Sequence, residues 1–145
     1  RAKLLMMAEA MISLLTIARD RAGALKVVGR SWQADGTLSA RYWSEASKES
    51  GDPPSIFYFW RGERPLHPNA PQLEGTGEIK LESVDRAGGH WITRSEGNGA
   101  LYARTSGIYL RANPGDLAVM DGGDANDRAR LIERRLEEWR SLASY

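Results

Sequence analysis

The chain has 145 residues, with 20 Lys and Arg against 19 Asp and Glu, 41% hydrophobic residues and no cysteine. Near-neutral charge excludes the strongly basic class of duplex-DNA binder, and the absence of thiols excludes disulfide scaffolds, cysteine nucleophiles and thiolate metal sites. A chain of this length buries roughly two-thirds of its unfolded surface, so a single domain over residues 1–145 needs no disulfide, metal or cofactor to fold.

Residues 1–22 read as an apolar helix. Leu4, Leu5, Met6, Met7, Met11, Ile12, Leu14, Leu15 and Ile17 run without a breaker until Gly23, and only Glu9, Ser13 and Thr16 interrupt them. An apolar surface on every side implies burial on several sides or contact outside the chain, hence self-association through residues 4–18 or attachment to a membrane surface. The stretch is too short to span a bilayer, and no small-residue cleavage site follows it. Because Arg1 stands where an initiator Met would, the chain also reads as a fragment or a processed form, its first helix then being the lower end of a longer membrane or coiled-coil helix cut at Arg1.

The period then changes from helical to alternating. Val28, Arg30, Trp32 and Ala34 share one face and Val27, Gly29, Ser31 and Gln33 the other, up to a hairpin signal at Asp35-Gly36. Leu38–Ser44 is the partner strand, and the polar stretch from Ser44 to Ser55, with Gly51, Pro53 and Pro54, reads as a loop. Ile56–Trp60 is a dense strand-forming run, followed by a connection through Pro65, Pro68 and Pro71. Ile79 and Leu81 alternate with Glu78, Lys80 and Glu82, as in a half-exposed antiparallel strand. Gly88-Gly89 and Gly97-Asn98-Gly99 read as breaks around a strand at His90–Arg94, before a last strand at Leu101–Arg111. Asn113-Pro114 opens a short helix, and Asp124 caps a final helix with a stripe of Ile132, Leu136, Trp139 and Ala143. The expected fold is therefore α+β and β-rich: a curled antiparallel sheet or partial barrel of five to six strands over 26–111, flanked by the N-terminal apolar helix and C-terminal helices over 113–143.

No catalytic motif is present. His67 lies in the proline-rich connection; His90, with Asp85 or Glu78 as acid and base, is the weakest of three functional readings. Asp116, Asp121, Asp124 and Asp127 lack the spacing of a calcium loop and read as helix caps and first-turn acids, so no metal ligand is assigned. The last strand carries Arg104, Ser106, Tyr109 and Arg111, and arginine forks and hydroxyls suit an anion. Aromatic residues are dense on the strands, Tyr102 among them, and a barrel lined with such rings holds one planar ligand.

The leading reading is a non-enzymatic binding module for a small anionic, planar, nucleotide-like ligand. Arg104, Arg111 and Arg94 would meet the charge, and Tyr109, Trp91, Trp60 and Tyr58 the flat surface, with Ser106 and His90 also among the ligand-binding residues. The alternative is an oligomerising or membrane-associated interaction protein acting through its N-terminal helix, in a cytoplasmic or membrane-associated setting. An apolar N-terminal helix leading into a Trp-containing strand and a β-meander, residues 1–111, is similar in layout to the membrane-anchored β-barrel effectors of bacterial anti-phage systems. That resemblance implies cyclic-nucleotide sensing and antiviral defence; this chain departs from it in having a single short apolar helix and a C-terminal amphipathic one.

Overall fold

The computed structural model describes residues 2–8, 11–97 and 99–143. Eight strands run in order: β1 (Ala2–Ala8), β2 (Met11–Arg19), β3 (Leu25–Trp32), β4 (Leu38–Ser50), β5 (Ser55–Glu63), β6 (Leu73–Leu81), β7 (Arg86–Gly97) and β8 (Gly99–Arg111). Each pairs antiparallel with the next, and β1 also pairs with β8, so the meander closes into a barrel with no free edge. Two helices follow, α1 (Pro114–Gly122) and α2 (Ala125–Ala143).

The β-rich antiparallel architecture is as the sequence predicts, but the strand count and closure are not. The expected N-terminal helix is replaced by β1 and β2, with Leu4 opposite Leu15 and Met6 opposite Ser13. A strand buried on both faces is as uniformly apolar as a buried helix, and periodicity cannot separate the two. Leu4, Met6, Leu15 and Ile17 face the barrel interior, while Leu5, Met7, Ile12 and Leu14 face outward beneath the helices. The apolar excess that suggested self-association through residues 4–18 is thus covered within the chain: Met7 and Ile12 are both 0% exposed. The apolar helix on which the resemblance to anti-phage effectors drew is, within residues 2–19, the strand pair β1 and β2.

Two further segments differ from expectation. The polar run after Ser44 continues β4 to Ser50, paired with β5 through a register shift between Ser44 and Ala46. At that irregularity the buried Ser44 hydroxyl accepts the Val27 N–H at 2.9 Å, which satisfies a backbone donor and holds the bend. Gly88-Gly89 lies inside β7 rather than breaking it, opposite Lys80 and Ile79 on one side and Ile108 and Gly107 on the other. The hairpin at Asp35-Gly36 forms as read: Gly36 has φ +83°, and Asp35 accepts from the Thr37 N–H at 3.0 Å and hydroxyl at 2.6 Å.

The helices start where their caps predict. Asn113 accepts the Asp116 N–H, and Asp124 the Asp127 N–H, each at 2.8 Å. Leu131, Ile132 and Leu136 of α2 and Met120 of α1 then cover the outer face of β1, β2 and Trp32, forming a second core outside the barrel. Buried Asp116 ties the two helices together by accepting both Arg135 Nε at 3.0 Å and a terminal guanidinium nitrogen at 2.9 Å. Arg30 reaches from β3 to pair with Asp121 and lies over the Trp32 ring, 5.2 Å from its centroid.

No described helix is long and apolar enough to cross a membrane. Outward positions on the strands carry Arg41, Arg61, Glu74, Glu78, Lys80 and Arg104, whereas the lower interior is filled by apolar side chains; a transmembrane barrel carries an apolar outer band instead.

Candidate functional site

Eight strands enclose an interior just wide enough for side chains or one small ligand. Here the half nearer the 33–37 and 64–72 connections is open, with a cavity of about 250 Å³. Its upper wall is set by Met11, Ser39, Arg64, Leu73 and Thr93, and its middle by Met6, Ser13, Ser31, Tyr42, Trp60, Trp91 and Thr105. Tyr58 and Tyr109 form its base, one inward position deeper than Trp60 on β5 and two deeper than Thr105 on β8. Below them Val27, Ile56, Ile79 and Ala87 belong to the packed core beneath the cavity.

The cavity stays open because glycines stand across from the rings on neighbouring strands. Tyr42 is paired with Gly29, Tyr58 with Gly77 and Trp60 with Gly75. A Cβ on Gly29 would sit 2.1 Å from the Tyr42 ring, and one on Gly77 2.4 Å from the Tyr58 ring. The aromatic side chains therefore lie against bare backbone and leave the axis clear. Tyr42 and Trp60 meet edge to face, with centroids 6.1 Å apart.

The hydroxyls of Ser13, Ser31, Tyr42, Tyr58 and Tyr109 line the middle and base of the cavity. Ser13 and Ser31 share a 2.5 Å hydrogen bond between β2 and β3. Burial raises the Tyr42 phenol well above its ordinary range, the nearby Tyr58 adds to this, and the hydrogen bond from Ser13 opposes it. Burial pushes the Tyr58 phenol up to about 12 against the hydrogen bond donated by Tyr109. Tyr109 is raised further by burial, by the neighbouring Tyr58 and Tyr42, and by donating to Tyr58. Phenols held protonated offer hydrogen bonds rather than acid–base chemistry near neutral pH. Among the described residues Arg64 is the single charged one lining this space.

A wider and more open depression of about 840 Å³ lies at the opposite end, among Leu4, Ile17, Leu25, Ile56 and Leu81. Its rim arginines already have carboxylate neighbours: Arg19 with Glu49 at 2.5 Å, Arg86 with Glu82 at 3.3 Å and Arg111 with Asp85 at 3.9 Å. The smaller cavity is the better site because its walls combine rings, hydroxyls and an uncommitted cation.

The residues singled out in the sequence divide between the two sides of the wall. Tyr58, Trp60, Trp91 and Tyr109 converge on the cavity. Arg104 and Ser106 are exposed on the outer face of β8, and His90 and Arg94 lie on the outer face of β7. His90 Nδ1 stands 3.8 Å from Glu78 beside Phe57, Arg94 bonds Glu74 at 3.1 Å, and Arg111 belongs to the opposite rim. One ligand cannot touch both Arg104 and Trp91, since they face opposite sides of adjacent strands. The Tyr102 side chain lies outside the described residues. Met6, Met11, Ser13, Ser31, Tyr42 and Arg64 were not assigned to the site from sequence; the first three sit in the stretch read as a helix. The usable signal was glycine at alternate strand positions, Gly75 and Gly77, facing a strand rich in rings. Comparison with family models, curated proteins and solved structures gives no match.

Proposed function

We propose that the protein is a non-enzymatic binding module that holds one small, flat, mostly apolar molecule inside its barrel. The carrying observation is the open upper interior, where Trp60, Trp91 and Tyr42 present ring surface above a base of protonated hydroxyls. This cavity of about 250 Å³ sits below the ~300–1,000 Å³ of drug-sized pockets, so it suits one small molecule. Rings supply contact area, and the hydroxyls orient a carbonyl or hydroxyl on the ligand's inner edge.

Quenching of tryptophan fluorescence by 2-naphthol, a flat probe with one hydroxyl, tests this. Saturable binding is expected, about tenfold weaker in Trp91→Ala and unchanged in Trp43→Ala, whose ring is on the outer wall. No saturable binding, or equal sensitivity to both substitutions, would reject the reading.

A further inference from the structure

Resting on that reading, the position of Arg64 identifies the chemical class of the ligand. Arg64 follows the end of β5 at the cavity mouth, four residues above Trp60, and begins the connection that leads to β6. Only Arg61–Glu63 of β5 separate it from Trp60, and the two side chains line the same cavity. Most strand arginines are committed: Arg19, Arg30, Arg41, Arg61, Arg86, Arg94 and Arg111 have a carboxylate within 4.0 Å, and Arg104, which has none, is exposed on the outer wall away from the cavity. Among the described residues Arg64 has neither an ion pair nor a side-chain hydrogen bond, and no Asp or Glu lines the cavity. A guanidinium at the mouth of a cavity that Leu73 and Trp91 also line is less screened than one in bulk water, and its forked donors match a carboxylate.

We infer that the ligand is a flat aromatic monocarboxylate, ring inward between Trp60 and Trp91 and carboxylate outward on Arg64. One cation matches one negative charge, and the volume is too small to enclose base, sugar and phosphate together, which separates this ligand from a nucleotide.

The test uses matched acid and amide pairs on the full chain: indole-3-acetate with indole-3-acetamide, and 2-naphthoate with 2-naphthamide. In the unsubstituted protein each acid is expected to bind at least tenfold more tightly than its amide. In Arg64→Met that preference is expected to disappear while amide affinity stays within twofold, which also reports an intact cavity. Acid and amide binding equally, or the acid preference surviving Arg64→Met, overturns the inference and leaves the cavity reading in place. Failure of all four probes to bind overturns both.

Discussion

Gly75→Ala is expected to destabilise the protein by at least about 3 kcal/mol, while Gly88→Ala on the adjacent strand changes stability by about 0.5 kcal/mol or less. Both glycines are strand residues, so the loss of backbone freedom in the unfolded chain is similar. They differ in which face they present. Gly75 faces inward, where a Cβ would stand 1.8 Å from the Ile92 carbonyl oxygen and 2.9 Å from the Trp60 ring. The first of these is backbone in the β6–β7 ladder and cannot yield without opening hydrogen bonds. Gly88 faces outward, and its nearest neighbour would be the Glu82 carboxylate at 3.1 Å, the mobile end of an exposed side chain. Urea denaturation of the two variants measures the contrast. Equal effects would mean that the β6 wall does not approach β7 this closely.

The second large effect is expected in alkali. Tyr42, Tyr58 and Tyr109 all have folded pKa values raised above the ordinary value near 10, chiefly by burial. A phenol of this kind keeps its proton in the native state where the unfolded chain has lost it. Its stabilising contribution is complete below pH 10 and is lost as pH rises from 10 through the folded value. With three such groups the unfolding free energy falls by up to about 4 kcal/mol per pH unit, enough to remove most of the ~5–15 kcal/mol of a typical domain by about pH 12. Tyr58, raised to about 12, reaches its limit first. Denaturation midpoints measured from pH 9 to 12 should fall steeply above 10, and Tyr109→Phe should remove about a third of the slope. Tyrosinate absorbance for these residues should develop with unfolding. Its appearance in the folded protein near pH 10 would show that water reaches the phenols.

How much of this was legible in the sequence depended on whether a signal was local. The Asp35-Gly36 hairpin, the Asn113 and Asp124 caps and the Ile132–Leu136–Trp139 stripe are read within one turn of chain, and all three form. Residues 1–22 failed because their pattern is set by two partners that the sequence does not display: the barrel interior on one face and α1 with α2 on the other. Gly88-Gly89 failed for a related reason. A glycine pair signals a turn in isolation, but in β7 Gly89 makes room for Tyr109, where a Cβ would lie 2.8 Å from the ring. At the candidate site, alternation correctly placed Trp91 opposite to His90, Ile92 and Arg94. What it could not supply was the closure that sends Trp91 inward and Arg104 outward, or the loop path that returns Arg64 over the mouth.

Entry of the ligand into the barrel is measurable through the five tryptophans. Trp60 and Trp91 line the cavity, Trp43 lies on the outer wall, and Trp32 and Trp139 pack between barrel and helices. Indole N–H resonances followed by NMR during titration with 2-naphthol should shift at Trp60 and Trp91 and stay fixed at the other three. Shifts confined to Trp43, or to Trp32 and Trp139, would place binding outside the barrel and contradict the account.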